Sequence, residues 1–431
     1  MRELPRGWAL TTLGAIGEYL NGRGFKKTEW REAGRPIIRI QNLTGTSKEF
    51  NYFEGDPGEG YLAQKGDILV SWAATLGVFV WDGPEAVINQ HIFKVKSHID
   101  QRFHRYLLQF VLSDLKRQTH GSGMVHITKS RFESTPVLLP PYREQKRMVL
   151  VIEEQLSRID AGVAALERVR QNLRRMRAAV LEAAITGALV HDDASCWDTR
   201  QLATLGVLDR GKSRHRPRND PVLYGGPFPF IQTGDVAAAD PWIDRHSQTY
   251  NSLGLEQSRL WPSGTLCITI AANIAKSGLL TFDACFPDSV VGFMAHDGPI
   301  ATRWVELVIR SMQDRLEQLA PATAQKNINL SVLRVLEIPY PNPTYQSEVL
   351  SEYDRQMSLL GALDRAVAVE EQHARGLRSS ILAAAFSGRL VPQDLGDEPA
   401  SMLLKRMARH SSSNGHRSTE ARGQRRRKII T

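Results

Sequence analysis

The chain has 431 residues, 42% of them hydrophobic, a length that provides for two or three domains with their own cores. Its formal charge of +9 sits almost entirely between Ser401 and Thr431, where nine Lys and Arg stand against the single acid Glu420, so the body is close to neutral. Three cysteines, Cys196, Cys267 and Cys285, lack CxxC spacing and argue against a disulfide framework or zinc ribbon, and no stretch approaches the roughly 18 apolar residues of a membrane span or signal-like leader, so a soluble cytoplasmic protein is expected.

In chain order, PRGW (Pro5 to Trp8) leads into a Gly-punctuated loop with Arg23, Lys26 and Lys27, then IIRIQNL (Ile37 to Leu43). Gly boundaries and β-branched runs predict strands in GDILVSWA, GVFVWDG and VINQHIFKV. A helix carried by Phe103, Leu107, Phe110, Val111 and Leu115 follows, and then a glycine loop with Ser122, His126 and Lys129. After Pro140 and Pro141 an apolar seam runs Val149, Ile152, Leu156, Ile159, Val163, Leu166, Val169, Leu173, Met176, Val180, a heptad pattern with one three-residue stammer. It predicts a helix of over forty residues, stopped by Gly187 in AAITGALV.

The same order then returns. Strands are predicted in TLCITIAA and SVVGFMAH, followed by a helix with Trp304, Val308, Met312 and Leu316. A second seam runs Leu350, Tyr353, Met357, Leu360, Val367, Leu377, Ile381, interrupted by Asp364 and Glu370, and ends in AAAFSGRLV at Gly388. An offset of 201 pairs Ile127 with Ile328, Pro140 with Pro341, Gln145 with Gln346, Arg177 with Arg378 and Gly187 with Gly388 without a gap. The chain is a tandem duplication, and two copies point to pseudo-twofold symmetry, since a solenoid needs three or more repeats. A narrow stripe too long for a small globule needs a partner helix, and its own duplicate supplies one; packed antiparallel, the two would hold a globule at each end of a rigid spacer.

Two motifs suggest an enzyme. Gly206 to Ser213, GVLDRGKS, matches the P-loop pattern, but a P-loop requires a helix whose amides cradle the phosphates, and RHRPRNDP places Pro217 and Pro221 there. The reading adopted is a glycine turn and a basic loop. NPTY (Asn342 to Tyr345) echoes the Asn-Pro-Pro-aromatic signature of amino-methyltransferases without its second proline or a glycine-rich AdoMet loop upstream, and reads as a turn before a helix. The histidines lack metal-ligand spacing, and no catalytic site is expected.

With PRGW, IIRIQNL, GDILVS, NQHIFKV, LPPYREQKRMV and the endings ITGALV and FSGRLV, the chain resembles the specificity subunits of type I restriction-modification systems over about nine tenths of its length. Copy two departs from the pattern with SCWDTR at its start and NPTYQSEV before its helix. The resemblance implies an α/β fold in which two target recognition domains each read one half of a split DNA site, separated by two long helices in an antiparallel coiled coil. It implies a non-catalytic subunit that binds double-stranded DNA, two modification (methyltransferase) subunits and restriction (motor-nuclease) subunits, with AdoMet, ATP and Mg2+ in those partners and none held by this chain. The expected segments are 1–140 and 191–341 for the recognition domains, 141–190 and 342–391 for the helices, and 392–431 for a basic solvated tail. The alternatives are a nucleotide-using enzyme built on GVLDRGKS and a helical adaptor without DNA affinity.

Base reading needs side chains with paired donors and acceptors, whereas phosphate contacts need only positive charge or N–H donors. The candidates in copy one are Arg23, Lys26, Lys27, Arg39, Gln41, Asn42, Ser122, His126 and Lys129. In copy two they are Arg210, Lys212, Arg214, Arg216, Arg218, Gln232, Asn273, Lys276, Gln325, Lys326 and Asn327. The run from Arg210 to Arg218 stands out, because like charges in one loop repel unless an anion meets them. Arg168, Arg170, Arg174, Arg175 and Arg177 read as a solvated helix face.

Overall fold

The computed structural model describes residues 4–118, 128–190, 197–271, 273–318 and 327–409. Two compact units divide the chain, one formed by residues up to Ala165 and from Glu370 onward, the other by Leu166–Val369. Both long helices are cut by this division, so each unit combines one strand-rich region with a part of each helix.

In the first unit a four-stranded sheet runs in the order Gly17–Asn21, Ile92–Ser97, Ile68–Ser71, Gly77–Val80, and a second runs Asn51–Phe53, Arg35–Ile38, Ala86–Ile88, Leu62–Ala63. The predicted strand VINQHIFKV is therefore two strands in two sheets. Its centre, Asn89 to His91, is the turn between them, and Asn89 bridges to Arg23. Helix Gln101–Gln118 covers the first sheet through Phe103, Leu107 and Leu108, which are buried with Tyr19, Phe93 and Phe132. The second unit repeats the plan. A five-stranded sheet runs Gly206–Arg210, Val290–Ala295, Leu266–Thr269, Ser277–Leu280, Trp242–Ile243, and a four-stranded sheet runs Gln248–Tyr250, Tyr224–Phe230, Ala284–Cys285, Leu260–Trp261. Helix Pro299–Ser311 packs on the five-stranded sheet through Trp304, Val305 and Val308.

The long helices are Tyr142–Ile185 and Pro343–Phe386, each of 44 residues and offset by the 201 positions of the repeat. Their starts are built alike. Buried Gln145 donates to Pro140 O at 3.0 Å, and buried Gln346 donates to Pro341 O at 2.9 Å. In the first copy buried Glu144 accepts the indole N–H of Trp8 at 3.0 Å. In the second, NPTY is a helix cap: Asn342 Oδ1 accepts the Tyr345 N–H at 3.1 Å, and Pro343 takes the first helical position, where no N–H is needed. Gly187 and Gly388 end the helices with φ of 79° and 72°, the left-handed turn that favours glycine.

The repeated endings are seated in exchanged fashion. Ala184, Ile185, Leu189 and Val190, which close the first helix, lie in the core of the second unit, against residues such as Leu202 and Val349. Ala385, Phe386, Leu390 and Val391, which close the second helix, lie in the core of the first, where Phe386 stacks on Phe110 at 5.1 Å.

The helices pair antiparallel, and the contact differs in part from the predicted seam. Leu173, Leu360 and Val367 are buried together in the second unit, but Val163, Val169, Met176 and Leu377 are exposed. After Leu166 the buried line shifts to Arg170, Leu173, Arg177, Val180 and Ala184, which restores the heptad spacing without a stammer. Asp364, which interrupts the apolar stripe of the second helix, meets Arg170 at 3.9 Å and Arg177 at 3.6 Å. Those two arginines are thus part of the helix contact, not of a solvated face. In the first unit Arg378 pairs with Asp160.

Residues 392–409, expected to belong to a solvated tail, are ordered on the first unit up to the last described position. Residues 400–409 are helical, and Ala400, Leu403, Leu404 and Met407 pack on its core. The charge count concealed this, since these apolar side chains share the segment with Lys405, Arg406 and Arg409. Among the described residues no helix is long and apolar enough to cross a membrane.

Candidate nucleic-acid interface

The strand Gly206–Arg210 opens the P-loop-like motif, but the backbone after it is not arranged as a phosphate cradle. The Gly211 N–H donates to Val290 O at 2.9 Å and the Lys212 N–H to Phe286 O at 3.0 Å, so two loop amides are already bonded. A Cβ on Gly211 would lie 2.3 Å from Phe286 O. The glycine is there for close backbone approach, as is its copy-one counterpart Gly22, whose Cβ would lie 2.2 Å from Asn89 O. Beyond Ser213 comes an irregular loop, and the first helical turn after it is the three-residue 3-10 helix Pro221–Leu223, too short and too far on to serve as the helix of a P-loop.

That loop is the cationic run. Lys212, Arg214, Arg216 and Arg218 are exposed, and Arg210 is half-buried in its strand. The Arg214 and His215 N–H groups both donate to Gln257 Oε1, at 2.6 and 3.0 Å, and Arg216 folds back onto Ser213 O at 2.6 Å. An anion does meet the run, supplied by the protein: Asp288 accepts both contacts of Arg218 Nη2, at 2.8 and 2.9 Å. Asp220 faces His215 at 2.9 Å, and the Val222 N–H with that imidazole holds its carboxyl below the usual range.

Arg218 and Gln232 share the rim of a cavity of about 250 Å3 with Ser213, Asn219, Tyr224 and Gln248. Burial pushes the Tyr224 phenol up to about 12, so it stays a donor at neutral pH and bonds to Arg218 O at 2.7 Å. Gln232 is the cap of the short helix Thr233–Ala237, its N–H donating to Asp235 Oδ2 at 2.8 Å. Elsewhere in this unit Asn273 and Asn327 are exposed, Asn327 bridging to Ala271, and Lys276 is half-buried with its N–H on Thr269 Oγ1 at 3.0 Å. These three do not line that cavity. Gln325 and Lys326 lie outside the described residues.

In the first unit Arg39 holds the position of Gln232. It caps the short helix Ile40–Leu43, its N–H donating to Asn42 Oδ1 at 3.0 Å, and its guanidinium lies 5.3 Å from the centre of the Trp30 ring. Asn42 is committed to the turn, since it also donates to Glu49 O at 2.8 Å, whereas Gln41 is exposed. Arg23 is likewise engaged: it pairs with Glu29 at 2.5 Å and lies 4.6 Å from the Phe53 ring centre. Lys26 and Lys27 are exposed on the adjoining turn, and exposed Lys129 stands 3.6 Å from Glu133. Ser122 and His126 lie outside the described residues.

The model of the type I restriction modification DNA specificity domain matches residues 5–172 and again 195–365. The chain belongs to this family. It is 25% identical to the EcoBI specificity subunit of Escherichia coli over 95% of this chain and 93% of that one. It is 22% identical to the StySPI specificity subunit of Salmonella potsdam, covering 97% and 98%. Among solved structures, a chain from work on assembly and conformational transition of the type I R-M system superposes with a TM-score of 0.65 at 17% identity, over 90% of this chain and all of the other. The HsdS subunit of Thermoanaerobacter tengcongensis does so at 0.52 and 17%, over 90% and 98%. The P-loop reading has no support in these likenesses.

Within this family frame, the sequence alone passed over Asn219 and Gln248, which lie on the cavity, and Asn51 in the first unit. Asn219 adjoins Arg218 in the cationic run and was legible from its residue type. Gln248 and Asn51 were not, because they reach the site only through strand pairing, Gln248 opposite Phe230 and Asn51 opposite Ile37.

Proposed function

We propose that this chain is the non-catalytic, DNA-reading specificity subunit of a type I restriction-modification complex, with each strand-rich region reading one half of a bipartite site. The observation that carries the reading is the double match to one DNA specificity domain, each copy placing a polar side chain (Arg39 or Gln232) at the same capped strand end. Exposed cations in the Arg210–Arg218 loop supply phosphate contacts, which position the protein and set its salt dependence. The partners are two modification subunits and the motor-nuclease subunits, which hold AdoMet, ATP and Mg2+. The setting is the cytoplasm, where the host DNA is.

Exchanging residues 197–339 for the equivalent region of a related subunit, together with a modification subunit, tests this reading. Mapped methylation is expected to change in one half-site and to stay unchanged in the other. Methyl transfer by the lone chain, or a change in both half-sites, overturns it.

A further inference from the structure

Gln232 and Gln248 belong to different elements, a helix cap and a strand, yet the Gln232 Nε2 donates to Gln248 Oε1 at 2.6 Å. Phe230, two residues before Gln232, is the strand partner of Gln248. Asp235 holds the Gln232 backbone from the other side and also accepts the Ser247 hydroxyl at 3.3 Å, so both amides are set on braced main chain. Gln248 is exposed and Gln232 half-buried on the rim of the cavity that Arg218 also lines. One mutual bond leaves the pair with both free N–H donors and free carbonyl lone pairs. An adenine edge offers the complement, an N7 acceptor beside an N6 donor.

The first unit has the same station. Ile37 corresponds to Phe230, because each pairs in parallel with the equivalent strand, at Val87 and Cys285. Two residues on stands Arg39, the cap, and opposite Ile37 stands Asn51. Arg39 Nε and Asn51 Nδ2 are both screened from solvent and have no hydrogen-bond partner among the described residues. A buried donor without a partner is unfavourable, so a swing of either side chain outward to a base edge would gain the missing bond.

We propose that the capped strand end and its strand neighbour form one base-reading pair in each domain: Gln232 with Gln248 reads an adenine in one half-site, and Arg39 with Asn51 reads a guanine, the base whose O6 and N7 suit a guanidinium, in the other. The inference rests on the DNA-recognition reading and specifies its residues. Arg218, held by Asp288, then serves the backbone and not the bases.

The test selects bound sequences from a randomised duplex library with the full chain, as wild type, Gln232→Ala, Gln248→Ala, the double variant and Gln248→Glu, with melting temperatures confirming that each folds. Wild type is expected to require adenine at one position. Either alanine variant loses that preference by about tenfold or more, and the double variant loses no more than the single ones, since the pair acts as a unit. Gln248→Glu shifts the preference at that position toward cytosine, whose N4 amine donates. Unchanged preference in the alanine variants, or weaker binding spread evenly over all sequences, overturns the pairing while leaving DNA recognition standing. A wild-type chain that selects no sequence even with a modification subunit present overturns the functional reading itself.

Discussion

Arg147 and Asp397, 250 residues apart in sequence, join at 2.6 Å, with only 2% of the Asp397 side chain exposed. One arises in the first long helix and the other in the segment after the second. With the Ala400 N–H bonded to Gly7 O at 2.8 Å, they tie residues 392–409 onto the unit that begins the chain. Asp397→Ala leaves a partly buried guanidinium unpaired and is expected to weaken this docking by roughly 1–3 kcal/mol. Hydrogen exchange in residues 400–409 should accelerate well before that of strand Ile68–Ser71; equal acceleration of both would show the segment is not a separate docking unit.

Adjacent residues on the second helix have opposite fates. Leu360 is 3% exposed against Leu173, and Leu359 is 52% exposed. Leu360→Ala is expected to cost about 2–4 kcal/mol in urea unfolding, and Leu359→Ala to remain within about 0.5 kcal/mol. Similar losses from both would mean that the contact line is misplaced.

His104 is fully enclosed between Tyr19 Oη and Ser97 Oγ, each at 2.8 Å. Burial, aided by His98, depresses its imidazole from the ordinary 6.5 to about 3. Because the folded value lies below the unfolded one, the unfolded chain takes up the proton first as the solution is acidified. Its contribution is therefore complete above about pH 6.5 and lost as pH falls toward 3, at no more than about 1.4 kcal/mol per pH unit. His104→Gln should flatten the dependence of the urea midpoint on pH between 6 and 4, and an identical slope in the variant would assign the acid sensitivity elsewhere.

Arg218 is exposed and bound to Asp288. Arg218→Ala is expected to weaken DNA binding across all sequences and to lower the salt slope by about one unit, the mark of a phosphate contact. Asp288→Asn frees the guanidinium and should strengthen non-specific binding at low salt. A changed base preference in either variant would instead make Arg218 a reader.

The duplication, the α/β recognition regions and both long helices were legible in the chain, down to the glycines that stop them, because repeats and heptads are local patterns that backbone geometry turns directly into elements. The buried line along those helices was legible only in part. Periodicity favours apolar residues, and so it followed Val169 and Met176; the partner helix instead brought Asp364 to Arg170 and Arg177, placing charges where the stripe demanded hydrocarbon. Among candidate DNA contacts, residue type alone could nominate Arg39 and Gln232, but not Asn51 or Gln248. Only strand pairing, which joins positions with no fixed spacing in sequence, brings those two beside the caps. The repeated endings follow the same division. Their glycines and apolar residues were plain in the sequence, but an apolar end carries no label for its acceptor. Closure of the fold decided that Ile185 enters the core of the second unit and Phe386 that of the first, because those cores have the space that buries them.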